Sequence, residues 1–262
     1  MKLNYRKFFL RARPSLIFSF VSMLLLACGL GFASITYFNA SPTPTSAQIE
    51  SAGVLAINAQ TPASMASLSQ WAQQGMPAAQ RELGLVLASA GTDLPQAVSW
   101  LNKAALAGDN EAQFVLAEAH YKAKLGVPQN YALAWKWYAA AAMQENTKAS
   151  FMLARMAKYG EGAPLDLALS VHYLQQASEA GNAQAMFLLS NAYAVGEGVA
   201  KNADLTQKWL EKSAEGDYPV AIHELALSLT ANQDQAGENA LAARHLIKEA
   251  NDERSLRWNR YQ

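Results

Sequence analysis

Apolar and small side chains recur along the chain in register. An aromatic column stands at Trp100, Trp137, Tyr173 and Trp209, with steps of 37, 36 and 36 residues. The residue after each aromatic extends a second column: Leu68, Leu101, Tyr138, Leu174, Leu210 and Leu246. An alanine column (Ala79, Ala112, Ala149, Ala185, Ala221) and a leucine column four residues further on (Leu83, Leu116, Leu153, Leu189, Leu225) keep the same period. Positions four apart share one face of a helix, so each unit predicts two helices. Helix A carries the aromatic and its successor, and helix B carries the Ala-to-Leu pair. Gly75, Gly108, Gly181 and Gly216 stand between A and B, where a left-handed cap is expected, and Gly126, Gly162 and Gly198 follow B. A fixed period of this length is the signature of a solenoid: small alanines let helix backbones approach, and the aromatic and leucine fill the gap to the next unit.

Two stretches carry the pattern most fully, ALAWKWYAAAAMQENTKASFMLARMAKYGEGA and VHYLQQASEAGNAQAMFLLSNAYAVGEGVAKN. They resemble the SEL-one-like repeat, a relative of the tetratricopeptide repeat. Its marks are an aromatic-x-x-x-Ala-Ala helix A, a glycine turn, an Ala-x-x-x-Leu helix B and a terminal Gly-x-Gly-Val. Three such units span Leu94 to Lys201, with weaker ones at about 62 to 93 and 203 to 236 and a capping helix from about Asn239. The resemblance implies an all-α, right-handed α-solenoid of helix-turn-helix repeats. Glu145 departs from the pattern by replacing the first-turn glycine, and Ala88 to Gly91 and Thr230 to Gly237 lack the Gly-x-Gly turn, so irregular packing is expected at the latter two joints.

Composition agrees, with alanine at 51 of 262 positions, which suits packed helices better than strands. The formal net charge of zero is unevenly placed. Lys2, Arg6, Lys7, Arg11 and Arg13 precede every acid, leaving 16 basic against 21 acidic side chains downstream. No domain-scale positive field therefore exists to neutralise phosphates, which argues against nucleic acid as a partner. From Leu16 to Phe38 runs a 23-residue uncharged, apolar segment, roughly 35 Å long as a helix and enough to cross a bilayer. With the basic cluster before it, the positive-inside rule leaves residues 1–15 cytoplasmic and exports the rest. The reading is a single-pass signal anchor in a bacterial inner membrane over 16–38, with the repeats in the periplasm. A cleaved signal and a lipoprotein processed at Cys28, after Leu25-Leu26-Ala27, are alternatives. The Pro- and Thr-containing run after Asn39 reads as a flexible linker over 39–61. The solenoid with its capping helix then occupies 62–253, and a basic, aromatic tail 254–262.

Residues that could carry chemistry are few. The single cysteine excludes an intrachain disulfide framework and a CxxC site. No His-x-x-x-His, phosphate loop or Ser-x-x-Lys occurs, and Gly160-Glu161-Gly162 and Gly196-Glu197-Gly198 recur in register as turns. No cofactor or metal is expected, and no enzyme. His120 falls on a helix B packing column with Leu87, Ala157, Tyr193 and Leu229, and His245 takes the aromatic slot of the capping helix; His223 has no repeated counterpart.

One row is chemically uneven. The position before the aromatic reads Ser99, Lys136, His172, Lys208, Arg244, and four later it reads Lys103, Ala140, Gln176, Lys212, Lys248. The two rows share a helix face and form a ridge down the stack with seven basic-type side chains and no acid. On an acidic domain this either docks an acidic protein partner or anionic envelope polymer, through Lys103, Lys136, His172, Lys208, Lys212, Arg244 and Lys248, or is a solvated lysine-rich face. The tail, with Arg254, Arg257 and Arg260 between Leu256, Trp258 and Tyr261, is either a docking peptide or a cap on the last helices. The family resemblance implies a scaffold that binds without catalysis in a cell-envelope complex. Other readings are a periplasmic regulator of a membrane signalling protein and a cell-wall-directed hydrolase, although the chain lacks the cysteine pairs of the relatives linked to penicillin-type ligands.

Overall fold

Seven successive helices begin in the same way. Asp93, Asp109, Asn130, Asn146, Asp166, Asn182 and Asn202 each accept, through the side chain, a hydrogen bond from the backbone N–H three residues on. Such an N-cap satisfies one of the four donors that a helix start leaves free, about 1 kcal/mol each. The computed structural model describes residues 43–59, 61–91, 93–231 and 248. They form eleven α-helices: α1 Ser46–Asn58, α2 Pro62–Gln73, α3 Pro77–Ala90, α4 Leu94–Leu106, α5 Asn110–Lys122, α6 Tyr131–Ala142, α7 Thr147–Tyr159, α8 Leu167–Glu179, α9 Ala183–Val195, α10 Ala203–Glu215 and α11 Pro219–Ala231. Helices α2 and α3 start instead on proline, whose missing N–H costs nothing there. Among the described residues there is no strand.

From α2 onward the helices alternate A, B, A, B, and each packs on its neighbours in sequence to build an α-solenoid. The predicted columns from Leu68 to Leu210 and from Ala79 to Ala221 lie in its core. Ala79, Ala112, Ala149, Ala185 and Ala221 are all fully buried, as are Leu68, Leu101, Tyr138, Leu116, Leu153 and Leu189. Each half-buried aromatic packs on the core of the preceding unit: Trp100 on the Leu68–Leu83 cluster, Trp137 on the Leu101–Leu116 cluster, Tyr173 on the Tyr138–Leu153 cluster, and Trp209 on the Leu174–Leu189 cluster. The period is thus a bond between units as well as a pattern within one.

The structure corrects the sequence reading in two places. Residues 46–58, expected as part of an extended spacer over 39–61, form helix α1. Ile49, Ala52, Gly53 and Ala56 follow helical spacing, so they make one narrow apolar stripe, and it is buried against α2 and α3. The solenoid therefore begins at Ser46. The second correction concerns the turn before α11: Gly216 has φ −83°, and Asp217 takes the left-handed conformation at φ 59°. Asp217 stands four before Ala221, as Gly75, Gly108 and Gly181 stand four before their alanines, and Glu145 fills the same place with φ 61°. The helix-to-helix turn demands that geometry whichever residue occupies the position. The joint at Ala88 to Gly91 is short, with Gly91 capping α3 left-handed and Asp93 capping α4.

No helix of the described residues is long and apolar enough to cross a membrane. The Leu16–Phe38 segment, Cys28, the capping helix apart from Lys248, and the 254–262 tail lie outside the described residues.

Candidate functional site

Helices α4, α6, α8 and α10 carry the basic ridge. The placement of its side chains follows from burial of the residue two positions on: Leu101, Tyr138, Leu174 and Leu210 face inward, so Ser99, Lys136, His172 and Lys208 face outward. Ser99, Lys136, His172 and Lys208 are all exposed, as are Lys103, Lys212 and Lys248, while Ala140 and Gln176 are half-buried. Arg244 lies outside the described residues. The expected row is therefore an outward face over four consecutive units.

Three of its lysines rest on the aromatic column. Lys103 Nζ lies 3.8 Å from the ring centroid of Trp100, Lys212 Nζ 5.1 Å from Trp209, and Lys136 Nζ 5.8 Å from Trp137. The His172 ring tilts on Tyr173 with centroids 5.5 Å apart. Each exposed contact of this kind contributes about 0.5–1 kcal/mol. Among the described residues, Lys103, Lys136, Lys208 and Lys212 make no ion pair. Glu211, the acid nearest to Lys208 and Lys212 in sequence, accepts instead from Gln207 at 2.7 Å. Gln176 donates across units to the Ala142 carbonyl at 3.2 Å. Three units of the ridge thus carry an unpaired lysine over an aromatic ring, and the unit between the last two carries the His172 ring against Tyr173.

The remaining histidines are structural or remote. His120 is half-buried, as its packing column implied, with its carbonyl accepting from Asn130 N–H at 2.9 Å and its Nδ1 buried without a hydrogen-bond partner. His223 is exposed; His245 lies outside the described residues. Among the described residues, no three His, Cys, Asp or Glu side chains gather as metal ligands would. The Gly-Glu-Gly runs are turns in the structure. Gly160 and Gly196 cap α7 and α9 left-handed, while Glu161 accepts from the Tyr121 hydroxyl at 2.8 Å and Glu197 from Lys158 Nζ at 2.7 Å.

Sequence reasoning missed a cleft of about 230 Å³ between α7, α8 and α9, floored by Phe151, Val171, Leu174 and Leu188 and edged by Arg155 and Lys158. No ridge residue lines it.

Stacked A–B helix pairs with a continuous core and an exposed patterned face define a helical-repeat interaction protein. The Sel1 repeat matches residues 77–109, 110–146, 147–182 and 183–218, more than half of the chain, and the chain belongs to the Sel1 repeat family. Its fold is similar to a protective antigen of uropathogenic Escherichia coli strains displaying an SLR fold, at TM-score 0.67 and 24% identity over 78% of this chain and 46% of the antigen. The chain thus spans about half the length of that antigen. It is also similar to a Sel1 repeat protein from Oxalobacter formigenes, at TM-score 0.68 and 23% identity over 83% of this chain and 93% of the other. No curated protein matches the sequence. Sel1 repeats generally mediate protein–protein interaction, and this fold supports a binding scaffold.

Proposed function

We propose that this chain is a membrane-anchored, exported scaffold that holds an acidic protein partner in a bacterial cell-envelope complex, by binding and without catalysis. The observation that carries the reading is the ridge: Lys103, Lys136, Lys208 and Lys212 are exposed and unpaired among the described residues, and Lys103, Lys136 and Lys212 are seated on the aromatic rings of three units. A cation held over a ring has lost part of its side-chain freedom before a partner arrives, which lowers the entropic cost of docking a carboxylate. Repeated in three of the four units, such contacts suit an extended acidic segment laid along the stack. The uncharged Leu16–Phe38 segment, with five basic residues before it, supports anchoring with the repeats on the far side of the inner membrane.

In-cell photo-crosslinking from positions 136, 172 and 208, followed by mass spectrometry of the membrane fraction, tests the reading. A recurrent protein captured at all three positions, and lost when Lys136→Glu and Lys208→Glu are combined, is the expected result. Capture of glycan would replace the protein partner with an anionic envelope polymer. A folded, membrane-bound chain that captures nothing would reduce the ridge to a solvated face.

A further inference from the structure

The cleft between α7, α8 and α9 has a filled counterpart one unit earlier in the same chain. Around α5, α6 and α7 the corresponding space is packed with Tyr121, Tyr131, Trp135, Tyr138 and Met156 against Phe114. One repeat later, 36 or 37 residues on, Lys158, Leu167, Val171, Leu174 and Ala192 take those places and Phe151 takes that of Phe114. Four aromatic side chains and a methionine have become four shorter or more flexible chains and an alanine. The backbone keeps its repeat spacing, so the lost ring volume stays open as the cleft.

The polar partners change at the same positions. In the filled unit, the Tyr138 hydroxyl donates to Glu118 at 2.7 Å and the Tyr121 hydroxyl donates to Glu161 at 2.8 Å. The second contact survives in altered form, as Lys158 Nζ on Glu197 at 2.7 Å. The first does not: Leu174 has no hydroxyl, and Arg155 stands where Glu118 stood. Arg155 is exposed, its one hydrogen-bond contact is a weak one to Met152 Sδ at 3.9 Å, and it has no ion-pair partner among the described residues. An apolar floor beside one uncompensated guanidinium is what remains when a phenol ring and the carboxylate it bonds are removed and the charge is reversed.

We propose that this cleft is an anchor site for a single aromatic side chain of a partner peptide, with a carboxylate on the adjacent residue bound by Arg155. At about 230 Å³ the cleft falls below the roughly 300–1,000 Å³ of pockets that enclose a drug-sized molecule, which selects one side chain over a cofactor. Lys158 and Glu197 neutralise each other at the mouth, so the acid on the peptide is specified by Arg155 alone. A buried ring with a charged neighbour at its rim is the usual composition of an interface hot spot. No ridge residue lines the cleft, so the site stands or falls apart from the ridge.

The test is a methyl-NMR titration of the full-length chain in lipid nanodiscs, following Val171, Leu174 and Leu188. The probe is acetyl-Ala-Asp-Phe-Ala-amide, with controls in which Asn replaces Asp or Ala replaces Phe. The expected result is a saturable shift with the Asp-Phe peptide, weakened about two- to fivefold with Asn, the size of one exposed ion pair, and absent with Ala. Leu174→Tyr, which restores the ring of the earlier unit, abolishes the shift. Arg155→Gln, at an exposed position, weakens the Asp-Phe peptide to the level of the Asn control and leaves that control unchanged. Melting curves of both variants confirm that they fold. Equal binding of the three peptides, no shift at 10 millimolar peptide, or unchanged binding by Arg155→Gln would overturn the proposal. So would tighter binding of free 3-phenylpropionate than of the peptide, which would assign the cleft to a small carboxylate ligand.

Discussion

The Tyr138 hydroxyl donates to Glu118 Oε1 at 2.7 Å, joining α6 to α5 inside the most aromatic unit of the solenoid. Tyr138 is fully buried, and burial together with the Glu118 carboxylate pushes its phenol far above the ordinary range. On Glu118, burial alone would raise the carboxyl, but hydrogen bonds from Lys122 and Tyr138 outweigh it and hold the group below its usual value. A depressed carboxylate contributes stability that is present above its unfolded value of 4.5 and is lost as pH falls through the folded value. Tyr138→Phe should therefore cost about 1–2 kcal/mol at neutral pH. Denaturant melts between pH 7 and pH 3 should show that cost shrinking toward acid, because the variant has less carboxylate stabilisation to lose.

A second prediction separates two glycines that share a left-handed backbone, one after helix B and one between A and B. Gly162 has φ 80°, and a Cβ there would come within 2.3 Å of the Tyr131 carbonyl oxygen at the start of α6. Gly181 has φ 88° with nothing within 4 Å. Gly181→Ala should cost about 1–2 kcal/mol, the backbone term alone. Gly162→Ala adds a clash with backbone that cannot rotate away and should cost at least about 1 kcal/mol more. Thermal melts of the pair test it, and equal costs would deny the close approach of turn and helix.

Arg81 reaches three acids: Asp109 at 2.8 Å, Glu82 at 3.0 Å and Glu50 at 3.6 Å, so one guanidinium links α1, α3 and the cap of α5. Burial raises the Glu82 carboxyl above 4.5 despite the hydrogen bond from Arg81. A raised carboxyl favours folding below its unfolded value and loses that contribution as pH rises through the folded one. Arg81→Met removes the compensating charge and should cost about 3 kcal/mol at pH 8, within the range for breaking a buried pair. The penalty should be smaller near pH 4.5, where Glu82 takes up a proton. A pH-independent penalty would show that the network is solvated.

Helix α1 supplies a fourth test. Ile49 is 4% exposed and packs with Leu68 and Leu83. Ile49→Ala should lower stability by about 2–4 kcal/mol, as for other large-to-small core changes. A spacer residue would give no change, so the melting shift distinguishes a docked helix from a tether.

Much of this architecture is legible in the sequence because a solenoid repeats its physics. The columns at Leu101, Tyr138 and Leu174, at Ala112, Ala149 and Ala185, and at Trp100, Trp137 and Tyr173 each hold one kind of contact, so the period alone assigns A, B, core and joint. Exposure of Lys136, His172 and Lys208 follows from the same register, since an inward Tyr138 leaves Lys136 outward. Tertiary structure decided what the register leaves free. The stripe Ile49–Ala56 is too short to stand out after a Pro- and Thr-containing run, and it becomes a helix of the fold because α2 and α3 offer a surface that buries it. The left-handed residue is Asp217 and not the neighbouring Gly216 because the turn length is set from the buried Ala221, whatever glycine lies nearby. The cleft beside Arg155 depends on Tyr138 and Leu174 occupying one place on one backbone, a difference of side-chain volume that becomes space only when the helices around it are packed.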